Sequence, residues 1–211
     1  MLKLHHLEHS RSTRIIWLME ELGASYELIV HERNPETMRA PEELTRVHPV
    51  GKAPVLEDGN LTLAESGAII EYVIGKYGAG KLAPREDSLE HARYLELLHF
   101  AEGSAMFPIL VLLVGGMTGG LSDNFRSFVT PDVHKNLDYI GSFLDRRDYL
   151  LESGFSGADI QMSYVIEAAR MGNLLAGKEK LTEYLARIEQ RPAYRRAIEK
   201  GGVVALDLPS T

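Results

Sequence analysis

Val47-His48-Pro49-Val50-Gly51-Lys52-Ala53-Pro54-Val55-Leu56 runs through two prolines into an apolar pair. Ala64-Glu65-Ser66-Gly67-Ala68-Ile69-Ile70-Glu71-Tyr72 follows soon after. Between them, Glu57-Asp58-Gly59-Asn60 separates Val55-Leu56 from Leu61-Thr62-Leu63. An Asp-Gly turn flanked by apolar runs is a strong hairpin signal. Ile69, Ile70, Val73 and Tyr77 then fall at helical spacing. Glu65 and Ser66 stand at the mouth of that helix, where a serine caps and an acid favours the dipole. A helix mouth with a hydroxyl and open N–H groups also holds an anion. Together the two segments suggest a pocket for a peptide-like ligand bearing an ammonium and carboxylates.

Working toward the N-terminus, Leu2, Leu4, His5 and His6 read as a first strand. Ile15, Leu18, Met19 and Leu22 follow at helical spacing, with Gly23 as C-cap. Tyr26 to Val30 is β-prone, and the polar stretch from His31 to Glu43 is loop with an irregular helix. The order β-α-β-α-β-β-α predicts a four-stranded mixed sheet with helices on both faces. That order resembles the thioredoxin fold and sets an N-terminal domain over residues 1–78.

Gly78-Ala79-Gly80-Lys81-Leu82-Ala83-Pro84 opens a linker over residues 79–87. Beyond it strand signals nearly vanish, so residues 88–211 form an all-helical domain. The spacing predicts helices over 88–114, 131–149, 158–175, 178–190 and 192–200. The run Gly115-Gly116-Met117-Thr118-Gly119-Gly120 breaks the bundle, as a flexible turn or a mobile lip over a pocket. Ser156-Gly157-Ala158-Asp159 is a capping-box variant with Asp at the third helical position, a structural role for Asp159.

Composition bounds the function. A chain of 211 residues that is 45% hydrophobic has material for a real core. A formal net charge of −7, with no basic block, argues against nucleic acid. The longest apolar run, Phe107 to Val114, is too short to span a bilayer. Met1-Leu2-Lys3-Leu4-His5-His6 has no signal-peptide core, so a cytoplasmic protein is expected. With no cysteine in the chain, disulfides, thiolate-held metals and a protein thiol nucleophile are excluded. His5 and His6 alternate across a strand, which suits a shared metal with Glu8 and His9 badly, and no metal site is expected.

SRSTR at Ser10–Arg14, HPVGKAP at 48–54, LAESGAIIEY at 63–72 and SGADI at 156–160 together resemble the glutathione transferases, over essentially the whole chain. His48 departs from the asparagine common at that place. The resemblance implies a glutathione site in the N-terminal half. A hydroxyl on the first turn would hold the glutathione thiolate. Ser10, four residues before Arg14, matches the serine-type members, with Ser12 as the alternative. The first tyrosine, Tyr26, lies too late for the tyrosine type, and the cysteine type needs a thiol. Lowering a thiol pKa by two units takes about 2.7 kcal/mol. A hydrogen bond to a charged group supplies roughly 1.5–3 kcal/mol, and a helix N-terminus roughly 0.3–1 kcal/mol more.

By the same resemblance, Ala53-Pro54 is a cis pair whose Ala53 backbone binds the tripeptide like a strand edge. Lys52 faces the glycine carboxylate. Ser66 holds the γ-glutamyl carboxylate and Glu65 the ammonium. Phe100, Met106, Phe107 and Ile109 are bundle core or, for Met106 and Phe107, lining of the electrophile pocket. Glu102 reaches the glutathione of a partner subunit, so a homodimer is implied. The implied function is conjugation of glutathione, as co-substrate, to a small hydrophobic electrophile, with no separate cofactor. Peroxidase action on organic hydroperoxides and a non-catalytic binding module are the alternatives.

Overall fold

The structure is a computed structural model, and it describes residues 1–205. Two compact units divide the chain. One comprises Met1–Lys81 with the chain from Gln190 onward, and the other Leu82–Glu189.

In the first unit the strands are β1 (Leu2–Leu7), β2 (Tyr26–His31), β3 (Val55–Asp58) and β4 (Leu61–Ala64). They form one sheet in the order β2-β1-β3-β4. The β1–β2 pair is parallel and the other two pairs are antiparallel. The parallel pair is joined through α1 (Thr13–Leu22), as a parallel crossover requires. Gly23 ends α1 in the left-handed conformation at φ 64°, a place where glycine carries no Cβ penalty. α2 (Glu42–Val47) is a short helix, and α3 (Ser66–Tyr77) follows the hairpin. Leu4, Ile15, Ile16, Leu18, Leu56, Ile69 and Ile70 are fully enclosed and form the core of this unit.

The second unit is helical: α4 (Leu89–Phe100), a π-helical turn (Ala101–Ala105), α5 (Met106–Met117), α6 (Asp123–Ser142), α7 (Gly157–Met171) and α8 (Glu179–Glu189). Several boundaries differ from the sequence expectation, with α6 ending at Ser142 and not at 149, and α7 at Met171 and not at 175. α5 continues through Gly115 and Gly116, and Gly115 is pressed against Leu121 where a Cβ would clash. Both glycines lie in helix, Gly115 packed and Gly116 exposed. α6 begins eight residues before Pro131. Ser122 caps it by accepting the Phe125 N–H at 3.3 Å, and the exposed Pro131 lies inside it. α4 to α5 makes a continuous helical stretch of 29 residues, long and apolar enough to cross a membrane by length and composition. Half of its most apolar window is buried inside the protein, the pattern of a core helix.

The domain assignment for the C-terminal segment also differs. α9 (Pro192–Gly201), expected within a helical domain over 88–211, packs on α1 of the first unit. Arg191 pairs with Glu21 at 2.6 and 2.9 Å, and Tyr194 meets Trp17 edge-on at 5.1 Å. An amphipathic pattern shows that a helix has an apolar face, not what that face meets. In the expected linker, Leu82 accepts the Gly157 N–H at 2.7 Å and so belongs to the helical unit. Residues 206–211 of the expected domain lie outside the described residues.

Candidate functional site

The sheet gathers the candidate residues of the first unit at one end. β1 runs antiparallel to β3, with His5 opposite Val55, and Val55 in turn faces Ala64 of β4. The turn after β1, the residues before β3 and the residues after β4 therefore leave the sheet from the same end. Those are Ser10–Ser12, Lys52–Pro54 and Glu65–Ser66.

Ser12 stands at the N-cap position of α1 but does not cap it. Its hydroxyl turns back toward the strand. It accepts the Leu7 N–H at 3.2 Å and lies 2.7 Å from His6 Nδ1 and 2.6 Å from Ser10 Oγ. Ser12 is fully enclosed, whereas Ser10 is half-buried. Of the two serines, only Ser10 has surface to offer a ligand. Ser10 also accepts the Ser12 N–H at 3.2 Å.

His6, read from the sequence as a plain strand histidine, is the residue that reasoning missed. Burial, aided by His31 and His9 and opposed by Glu8 and a hydrogen bond to the Gly201 backbone, lowers its pKa to about 4. The ring is neutral at physiological pH. The signal available was the strand alternation itself. His5 points the other way, to His31 at 2.9 Å and Glu57 at 2.7 Å. His6 therefore had to face the α1 side. His9, at φ 53°, contacts the Val203 carbonyl at 3.1 Å.

Arg14 is buried and donates to Ser66 Oγ at 3.1 Å, tying the first turn of α1 to the start of α3. Ser66 is itself buried, so its hydroxyl is an internal acceptor with one hydrogen left to give. Glu65, exposed beside it, has φ 71°, a conformation that side chains other than glycine adopt rarely. Strain of this kind persists where the surrounding structure enforces it and clusters at ligand sites. The Ala53–Pro54 peptide is cis. Pro54 is buried, Ala53 half-buried and Lys52 exposed. Gly51, at φ 61°, passes Thr45 so closely that a Cβ would stand 2.8 Å from Thr45 Oγ1. His48 Nδ1 accepts the Val50 N–H at 3.3 Å. An asparagine makes the same local turn, which explains how histidine serves in its place.

The candidates of the helical unit do not share one environment. Met106 is 1% exposed and Ile109 fully enclosed, so both are core. Phe107, one residue from Met106, is 67% exposed, because each helical step turns the side chain to a new face. Phe100 packs edge-on against Tyr139 at 5.0 Å. Glu102 is half-buried in the π-helical turn. Asp159 has the structural role its motif predicts. With Ser156 it completes a capping box, and it also accepts from Leu150 N–H at 3.0 Å and Tyr184 O–H at 2.9 Å.

Known proteins resemble this chain in sequence and fold. Residues 1–74 match the family model described as the glutathione S-transferase N-terminal domain. Glutathione S-transferase 3 of Schizosaccharomyces pombe is 36% identical, over 95% of this chain and 88% of its own. A crystal structure of a glutathione S-transferase from Actinobacillus pleuropneumoniae superposes with a TM-score of 0.87 at 33% identity. It covers 95% of this chain and 93% of that one. A sphingomonad glutathione S-transferase complexed with glutathione gives a TM-score of 0.78 at 29% identity, over 95% and 99% of the two chains.

Proposed function

The chain belongs to the glutathione S-transferase family, and from that premise we propose that it binds glutathione, stabilises its thiolate beside Ser10 and conjugates it to a small hydrophobic electrophile. The observation that carries this reading is the convergence of Ser10, Ala53–Pro54 and Glu65–Ser66 at one end of the sheet. Ala53 offers a backbone edge to the tripeptide and Lys52 a charge to its glycine carboxylate. The α3 N-terminus offers N–H groups to the γ-glutamyl carboxylate, with Glu65 on the ammonium. Ser10 is a hydrogen-bond donor to sulfur, and the attacking atom belongs to the substrate. Catalysis comes from thiolate stabilisation and proximity. Phe107 is the exposed aromatic offered to the electrophile. The enzyme works as a cytoplasmic homodimer in detoxification, with Glu102 directed to the partner's glutathione and no cofactor besides the co-substrate.

Ser10→Ala tests the assignment. It raises the pKa of the bound glutathione thiol and lowers turnover of a reactive aryl halide at neutral pH. Affinity for glutathione, measured by calorimetry, changes little, because Ser10 acts on sulfur and not on the tripeptide's ends. An unchanged pH–rate profile sinks the role of Ser10.

A further inference from the structure

Two left-handed residues meet one guanidinium. His9, at φ 53°, and Met38, at φ 55°, adopt a backbone conformation that is uncommon outside glycine. Arg33, half-buried just beyond β2, donates to the main-chain carbonyls of both. Its Nη2 reaches the His9 carbonyl at 3.1 Å and its Nη1 the Met38 carbonyl at 2.9 Å. Its Nε reaches the Glu8 carbonyl at 3.1 Å. Chemistry fixes the direction of all three bonds, since a guanidinium only donates and a carbonyl only accepts.

The Glu8 carbonyl belongs to the peptide plane before His9, and the His9 carbonyl to the plane after it. A peptide unit is planar, so pinning both carbonyls sets φ and ψ of His9 together. The second plane also contains the N–H and Cα of Ser10. In a trans peptide the N–H points away from the C=O, so the Ser10 N–H leaves on the side opposite the guanidinium. The direction in which the chain presents Ser10 follows from where Arg33 holds His9. The His9 ring is held separately, its Nδ1 giving a hydrogen to the Val203 carbonyl at 3.1 Å.

Arg33 is anchored in turn. Asn34 Oδ1 accepts the Glu36 and Thr37 N–H groups at 3.0 and 2.9 Å, an arrangement in which asparagine stands in for a backbone turn. The Asn34 carbonyl accepts the Met38 N–H at 2.8 Å, and the Asn34 N–H closes the loop on the Arg39 carbonyl at 2.9 Å. This closed turn brings the Met38 carbonyl to Nη1. One arm of the guanidinium is fastened to the loop, and the other two grip the turn before Ser10.

We propose that Arg33 is a positioning residue for the thiolate site: anchored on Met38, it fixes the left-handed turn at His9 and so aims the Ser10 hydroxyl at the glutathione sulfur. This rests on the reading that Ser10 faces that sulfur. The role belongs to the planar fork and not to the charge. A lysine ammonium keeps the charge, but it is a point on a flexible stem and lacks the fork that meets neighbouring carbonyls at once.

The test titrates the thiolate absorbance of bound glutathione in the full chain, for the parent, Arg33→Lys, Ser10→Ala and the double variant. Calorimetry gives the glutathione affinity of each. Arg33→Lys lowers the acid dissociation constant of the bound thiol by about threefold to tenfold, the equivalent of one neutral hydrogen bond. Ser10→Ala lowers it at least as far, and the double variant matches Ser10→Ala, because the effect of Arg33 passes through Ser10. Affinity changes little. A constant unchanged by Arg33→Lys while Ser10→Ala acts, or a double variant below Ser10→Ala, overturns the positioning role and leaves the Ser10 site standing. A loss of affinity as large as the loss of acidity overturns it too, since the variant has then disturbed the whole site. A Ser10→Ala variant without effect removes the site, and the proposal with it. If Arg33→Lys does not fold, Asn34→Ala decides, because it opens the Met38 turn from an exposed position and leaves Arg33 in place. A lowered constant then upholds the proposal, and an unchanged one overturns it.

Discussion

Two helix starts in this molecule bury a titratable group beside a serine, and they do opposite things with it. At α7, Ser156 caps the helix and Asp159 closes the box, with each of Ser156, Asp159, Leu150 and Tyr184 no more than 2% exposed. At α1, Ser12 holds the cap position without capping, and its hydroxyl belongs to a chain that ends at the half-buried Ser10. Burial pushes both titratable groups toward neutrality, Asp159 up to about 6 and His6 down to about 4. Asp159 is held below neutral pH by Leu150 N–H, Ser156 N–H, Tyr184 O–H and Ser156 O–H, so it stays ionised. At His6, Glu8 offsets only part of what burial costs the charged ring, and it stays uncharged. The closed network is sealed in the interior, whereas the open one reaches the half-buried Ser10.

The largest expected effect breaks the closed network. Asp159→Ala leaves the Leu150 N–H, Ser156 N–H and Tyr184 O–H without their acceptor in a dry interior. Each orphaned donor costs about 1–3 kcal/mol, so the variant loses at least about 3 kcal/mol, near the upper end for single substitutions. Ser12→Ala orphans one backbone donor, the Leu7 N–H, and loses less. Denaturant titration of the two variants checks the contrast. An Asp159→Ala variant as stable as Ser12→Ala would mean that the two helix starts are not built differently.

Acid sharpens the comparison next. His6 has a folded pKa below its ordinary 6.5, so the unfolded chain binds the proton more readily. Its contribution is fully present above 6.5 and is lost as pH falls toward 4, amounting to about 3 kcal/mol. Asp159 has the reverse sign. Its folded pKa lies above 3.8, so its contribution improves as pH falls from about 6 toward 3.8. The parent's acid profile contains both. His6→Phe removes the first, so the stability of that variant relative to the parent rises by about 3 kcal/mol between pH 7 and pH 4. Thermal unfolding across that range measures it. A difference independent of pH would mean that His6 is not held neutral by the fold.

What the sequence made legible follows from how local each signal is. The Asp58-Gly59 turn, the Gly23 C-cap and the Ser156–Asp159 spacing are each decided within a few residues, and the structure carries all three. The start of α6 was hidden because Phe125 and Phe128, which occupy its first turns, are exposed and mark no apolar face. Pro131 therefore looked like the opening residue. In the candidate site, the residue types were legible, whereas their common end of the sheet came from the strand register. The enclosure of Ser12, the Arg14–Ser66 bond and the His6–Ser12 contact were not, because each depends on how the chain folds back on itself. Met106 and Phe107 looked alike in sequence, and only the helix phase separates core from surface.

The smallest effect concerns how each network is enclosed. The α7 box is completed by residues 150–184 of its own unit, whereas the His6 ring beside the α1 turn lies against Gly201, brought back from the far end of the sequence. Gly201 closes α9 in a space where a Cβ would stand 2.5 Å from Ile16 Cδ1 and 3.1 Å from His6 Cε1. Ile16 is fully enclosed, so it has little room to yield. Alanine gains up to about 1 kcal/mol of helix propensity over glycine. Overpacking costs about 1–3 kcal/mol, and the cost is the larger of the two. Gly201→Ala should therefore lose about 1 kcal/mol net and shift the His6 ring resonances. The Asp159–Tyr184 contacts, in the other unit, should not move. A variant more stable than the parent, with His6 undisturbed, would show that α9 does not press on the imidazole and that the α1 chain is as self-contained as the α7 box.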